Sequence, residues 1–206
     1  LIDSHGPRSV GINFGSGLGL DSSGYAMEEA LYRALGYGPK FSPLTIDGVA
    51  KVLVAGAVGG FLGLNPKTDY DNVQMLIYVG TNPMVSHAHN TGMFNPAIWI
   101  KAAAARGDVW TIDPVLTETA KFSTRHIAAY PGKDYAILAW LVREIIDGGP
   151  LQPRQPLNGL AELRAALEGY DLATAAAVAG VEEQDMVDLL AAIRRQGGNV
   201  VVETGT

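Results

Sequence analysis

Apolar residues along this chain follow two alternating rhythms: short unbroken runs, and longer stretches in which they recur every three or four positions. The clearest run is Met75-Leu76-Ile77-Tyr78-Val79, which has no polar break and predicts a strand covered on both faces, as in a parallel sheet. Weaker runs at Ser9 to Phe14, Val109 to Ile112, His126 to Ala129 and Val200 to Val202 predict further strands. The longer rhythm predicts helices between them. Tyr25, Ala26, Leu31 and Leu35 mark a helix from about Gly24 to Leu35, with Ser23 as its cap and Gly36 as a left-handed stop. A second helix runs from near Asp47 to the glycines around Gly59. Asn95-Pro96 supplies a cap and a first-turn proline for a helix through Trp99 and Ala105, closed by Gly107. Ile137, Leu138, Leu141, Val142 and Ile145 form the stripe of another, Asp134 to Ile146. Two or three alanine-rich helices follow between Leu160 and Arg195.

Strands alternating with helices predict an α/β fold with a mainly parallel sheet, helices on both faces, and a dinucleotide-binding-like crevice at the carboxyl ends of the strands. The expected division is a short strand-helix piece of an adjoining domain at 1–44, the α/β domain proper at 45–198, and a strand returning to the adjoining domain at 199–206. Gly148 to Gly159, rich in proline, reads as a surface linker. The chain opens at Leu1 without an initiator methionine and stops at Thr206 just after a strand-like run, which reads as an internal piece of a longer protein. Its longest apolar stretch, Val52 to Leu64, is interrupted by four glycines and is shorter than the roughly 20 residues a membrane helix needs.

Composition narrows the chemistry. With 206 residues, 48% hydrophobic and 17% charged, the chain can bury a substantial core. A net charge of −6 and no cluster of Lys and Arg exclude a general nucleic-acid binder. No cysteine is present, so this chain supplies no disulfide, thiolate metal site or cysteine nucleophile.

The candidate chemistry sits where strands end. Gly80-Thr81-Asn82-Pro83 follows the clearest strand; a glycine there lets backbone amides approach a phosphate, and Thr81 and Asn82 add neutral hydrogen bonds. An ordinary strand-to-loop turn would look the same. Asp113, before Pro114, can accept hydrogen bonds from ribose hydroxyls or simply form a turn. Asp134, after Pro131-Gly132-Lys133, can accept two parallel N–H bonds from the edge of guanine, or serve as favourable charge at a helix start. Two other features carry less. Gly15-Ser16-Gly17-Leu18-Gly19 is similar to a nicotinamide-dinucleotide fingerprint, but Leu20 stands where the third glycine belongs. His87-Ala88-His89 lacks further ligands for a metal, and His126 reads as structural.

Taken together and in this order, three blocks resemble the molybdopterin oxidoreductase family, which includes dimethyl sulfoxide reductase, periplasmic nitrate reductase and formate dehydrogenase. They are Gly80-Thr81-Asn82-Pro83 with Ser86-His87, Ile112-Asp113-Pro114-Val115-Leu116-Thr117-Glu118-Thr119-Ala120, and Pro131-Gly132-Lys133-Asp134. The resemblance implies a molybdenum or tungsten oxidoreductase that uses molybdopterin guanine dinucleotide, with this chain binding the nucleotide end of one pterin. It implies Gly80, Thr81 and Asn82 at the phosphates with His87 beside them, Asp113 at the ribose or guanosine, Pro114 among the cofactor-binding residues, and Gly132 with Asp134 at the guanine. Val115 departs from the arginine usual after the Asp-Pro pair.

By position in the family, Asp47 takes the place of the protein ligand to the metal, and would be the catalytic-centre residue; a helix N-cap is its alternative role. The parent protein would add its remaining domains, an iron–sulfur cluster in a preceding part, and electron-transfer subunits. Two other classes fit less well: a cofactor-free structural subunit of a respiratory complex, and an NAD-dependent dehydrogenase domain.

Overall fold

The computed structural model describes residues 1–15, 17, 21–43, 46–61, 67–88, 93–148, 158–197 and 199–205. It divides into two units, Leu1–Asn65 and Pro66–Gly205. In the first, helix α1 (Ile2–His5) precedes strand β1 (Ile12–Asn13), helix α2 (Ser22–Ala34), strand β2 (Lys40–Phe41) and helix α3 (Val49–Gly59). β1 and β2 pair in parallel, Ile12 opposite Lys40. The cap of α2 is Asp21, whose carboxylate accepts from the Gly24 amide at 2.9 Å; Ser23, the expected cap, lies inside the first turn instead. Gly36 takes the left-handed conformation expected of it, with φ 81°.

Lys40 fastens this unit. Its ammonium lies 2.9 Å from Glu29 and 3.2 Å from Glu28, and about equally close to the rings of Phe14 and Tyr32, at 5.0 and 4.9 Å. The hydrogen bond to Lys40 holds the Glu29 carboxyl below its ordinary range, and the same bond raises Lys40.

The second unit carries the sheet. Strand β3 (Met75–Val79) leads through helices α4 (Pro83–Ser86) and α5 (Pro96–Arg106) to strand β4 (Asp108–Ile112). Helix α6 (Glu118–Phe122), strand β5 (Arg125–Ile127) and helices α7 (Asp134–Asp147), α8 (Leu160–Leu167), α9 (Leu172–Ala179) and α10 (Glu183–Arg195) follow, and strand β6 (Val200–Thr204) ends the order. The four strands are parallel in the order β5-β4-β3-β6. All five residues of β3 are buried, because alternate side chains enter separate cores. Met75, Ile77 and Val79 join Trp110, Ile112 and Ile127 against α7, α9 and α10. Leu76, Tyr78 and Val109 pack on the other face with Ile100 and Ala103 of α5. Full burial of one such aliphatic side chain contributes about 1.5–3 kcal/mol, which explains the continuous apolar run.

The expected domain division needs correction. Val200–Thr204 pairs with β3 along its whole length, so it completes the α/β sheet and does not return to an adjoining domain. Helix α3 falls in the first unit, so the border lies after position 65 and not at 44. The fifth strand is also shorter than expected, since the Ala129 amide turns back to the Ile127 carbonyl at 3.2 Å. Ser16, Leu18 and Gly19 of the glycine turn, His89, and positions 149–157 of the linker lie outside the described residues. Among those described, no helix is long and apolar enough to cross a membrane.

Candidate functional site

The chain leaves β3 on one side to build β4 and β5, then returns on the other side as β6. That reversal makes the carboxyl ends of β3 and β6 the switch point of the sheet, where open parallel sheets bind ligands in a crevice. Backbone contact there is close. The Gly205 amide donates to the Val79 carbonyl at 2.8 Å, and the Gly80 amide donates to the Ile112 carbonyl at 2.9 Å. A Cβ on Gly205 would stand 2.0 Å from the Gly80 carbonyl oxygen, so only glycine fits.

Gly80 itself has φ 57°, and the Cβ it lacks would lie 4.0 Å from Oδ2 of Asp134. Asp134, at the first position of α7, therefore reaches from beyond β5 to the end of β3. Among the described residues its half-buried carboxylate accepts no hydrogen bond. Gly132 precedes it with φ 68° and open space around the missing Cβ. The Lys133 amide closes this turn on the Tyr130 carbonyl at 3.0 Å.

Asp113 occupies the end of β4. One of its oxygens, Oδ1, accepts from the Val115 amide at 2.9 Å, so the turn-forming role is present. Its carbonyl accepts from Nε2 of His126 at 2.8 Å, which fixes the backbone just before exposed Pro114. The other carboxylate oxygen has no bond among the described residues and points to no competing role.

Asn82 differs from expectation. Its Oδ1 accepts from the Thr119 hydroxyl at 2.7 Å and the Thr119 amide at 3.2 Å, while its Nδ2 donates to Glu118 at 2.8 Å. The fully buried Thr119 hydroxyl in turn accepts from the Met84 amide at 3.1 Å. The Asn82 side chain thus brackets the loop after β3 to the loop after β4 and is already committed. The bond from Asn82 holds the exposed Glu118 carboxyl below its ordinary range. His87 has φ 58° and ends α4; its Nδ1 donates to the Met93 carbonyl at 2.9 Å, and the Met93 amide returns to the His87 carbonyl at 2.9 Å. This pairing closes a loop, while Thr81 stays half-buried with no bond among the described residues.

The structure therefore brings Gly80, Asp134 and Gly205 to one crevice, with Thr81, Asp113 and Gly132 on the adjoining strand ends. Asp47 lies in the other unit. Its backbone amide donates to Pro43 at 2.8 Å, but Gly48, with φ 74°, is the N-cap of α3, so the helix-cap alternative for Asp47 is excluded. Among the described residues no group of three or more His, Asp or Glu could hold a metal. Gly205, Glu118 and Thr119 were missed as site residues. A glycine three positions after Val202, beyond Glu203 and Thr204, was the available signal for Gly205; the Asn82 bracket spans 36 and 37 positions of sequence and leaves none.

No family model matches the chain. A nitrate reductase of Klebsiella oxytoca is 26% identical over 200 residues, 91% of this chain and 21% of that protein. An assimilatory nitrate reductase of Haloferax mediterranei is 32% identical over 128 residues, 61% of this chain and 17% of that protein. Acetylene hydratase from Pelobacter acetylenicus shares the fold over 100% of this chain and 27% of its own, with a TM-score of 0.70 at 16% identity. The chain thus spans about a fifth of the length of these nitrate reductases, homologues that belong to the molybdopterin oxidoreductase family.

Proposed function

We propose that the second unit holds the guanosine end of a molybdopterin guanine dinucleotide inside a molybdenum or tungsten oxidoreductase. One observation carries the reading: the Asp134 carboxylate stands without a hydrogen-bond partner among the described residues, beside a glycine with no side chain, at the switch point of the sheet. A half-buried carboxylate in that position calls for a donor. Guanine offers two parallel donors, N1–H and N2–H, that match its two oxygens, whereas adenine offers one donor and one acceptor. The fit extends to the neighbours. Asp113 retains one oxygen for a ribose hydroxyl, Thr81 is left without a bond among the described residues at the strand end, and Gly132 leaves room for the flat face of a base. The bound group would supply a metal centre for two-electron chemistry, which the protein positions and shields.

Asp47 is the ligand we assign to that metal, through an exposed carboxylate with no hydrogen bond among the described residues. X-ray absorption of the metal-loaded full-length protein should then show a changed coordination shell in Asp47→Ala. An unaltered shell would remove Asp47 from the metal.

The guanosine assignment is tested on the chain itself. Titration calorimetry with guanosine and with adenosine should give a preference for guanosine of at least about tenfold, the size expected when a site is built to pair a group the competitor lacks. Equal affinities, or no binding of either, would overturn it.

A further inference from the structure

From the charges around the same crevice we infer that this chain takes its ligand by the nucleoside and repels the diphosphate attached to it. The inference rests on the guanosine assignment above. The loops that follow β3, β4 and β5 carry three carboxylates, Asp113, Glu118 and Asp134, against one lysine, Lys133. Glu118 is held in its charged form by the bond from Asn82. Lys121, one turn along α6, acts on Glu118, but Lys101 is drawn over the Phe122 ring at 4.7 Å. The net formal charge at the strand ends is negative where a diphosphate would bring more negative charge.

Helix dipoles do not offset this. The amino end of α7, where an anion would be welcome, already bears Asp134. Helix α4 has four residues and begins with Pro83, which has no N–H to give. At the corner after Asp113-Pro114 stands Val115, apolar and 64% exposed, so no cation projects there. What the crevice does offer is neutral and directional: Thr81, without a bond among the described residues, and carboxylate acceptors that suit N–H and O–H donors, while the Gly80 amide is already given to the Ile112 carbonyl. Those acceptors favour a base and a ribose and oppose phosphate. Charge to balance the phosphates must then come from cationic groups outside these strand-end loops.

The size of the effect follows from Coulomb's law. A carboxylate about 8 Å from a phosphate charge, at the high effective dielectric of an open crevice, costs roughly threefold in affinity. Three carboxylates less one lysine give a deficit on the order of tenfold, and salt should screen most of it because the Debye length falls to about 6 Å near 0.3 M.

The test titrates the 206-residue chain with guanosine and with GDP, without divalent cations, at about 0.02 M and about 0.3 M NaCl. Guanosine should bind about tenfold more tightly than GDP at low salt, and added salt should tighten GDP several-fold while leaving guanosine unchanged. Val115→Arg, at an exposed position, should raise the affinity for GDP relative to guanosine by about threefold to tenfold at low salt. GDP binding more tightly than guanosine, or weakening as salt rises, would overturn the inference while leaving the guanosine assignment intact. Failure of the chain to prefer guanosine over adenosine would overturn that assignment, and this inference with it.

Discussion

Asp134→Asn reverses the base preference of the crevice, from guanosine over adenosine to adenosine over guanosine. The carboxylate accepts at both oxygens, whereas the amide accepts at Oδ1 and donates at Nδ2. Facing guanine, the new N–H meets one of the two N–H donors, so one charge-assisted bond is lost and a donor is left against a donor. Facing adenine, the same amide is complementary, its Oδ1 accepting a hydrogen bond from N6–H and its Nδ2 donating one to a ring nitrogen. Loss of a bond to a charged acceptor costs about 1.5–3 kcal/mol, so guanosine should weaken on the order of 50-fold, while adenosine gains modestly. The fold should survive. Asp134 is a first-turn residue of α7 with no hydrogen bond among the described residues, so its neutral isostere costs only the helix-end charge, about 0.3–1 kcal/mol. Calorimetric titration of both nucleosides against wild type and variant decides the matter. A variant that still favours guanosine would show that Asp134 faces something other than the base.

How far this could be read from the sequence depends on the kind of information each feature needs. Met75 to Val79 was legible to the residue because a strand in the middle of a parallel sheet must be apolar on both sides. The α5 start was legible because a cap and a first-turn proline are local chemistry; the Asn95 side chain accepts from the Ile98 amide as that pairing requires. The ends of β3 and β4 were legible as places, since glycine, Asx and proline residues stop strands for local reasons.

What could not be read is who sits next to whom. Apolar runs report burial, not neighbours, so Val200 to Val202 gave no sign that it pairs with β3 and not with another domain. The same limit hid the bracket at Asn82, whose partners Glu118 and Thr119 are distant in sequence, and made a loop-fastening side chain look like a phosphate ligand. Competition between equivalent capping residues misplaced the cap of α2, because Asp21, Ser22 and Ser23 are all capable and only the backbone direction chooses. At Asp47 the choice went to Gly48, which enters the left-handed region without the steric cost a side chain would bring.

Gly205→Ala should damage both the sheet and the crevice. A methyl at that position would meet the Gly80 carbonyl oxygen at 2.0 Å, and backbone cannot rotate aside as a side chain tip would. To accept it, the end of β6 must separate from the end of β3, which breaks the bond from the Gly205 amide to Val79 and shifts the loop that carries Gly80 and Thr81. Overpacking of this kind costs about 1–3 kcal/mol, and the lost hydrogen bond adds about 1 kcal/mol. The chain offers its own control. A Cβ on Gly107 would lie equally close, 2.0 Å, to the Gln74 carbonyl oxygen, just before the opposite end of β3. Gly107→Ala should therefore destabilise the second unit by a similar amount in urea unfolding, yet leave the guanosine affinity of the folded protein within about twofold of wild type. Gly205→Ala should lose stability and weaken guanosine by more than about tenfold, because its strain is released into the site. Equal nucleoside affinity in the two variants would place the ligand away from the junction of β3 and β6, and the switch-point crevice would then be a feature of the fold with no part in binding.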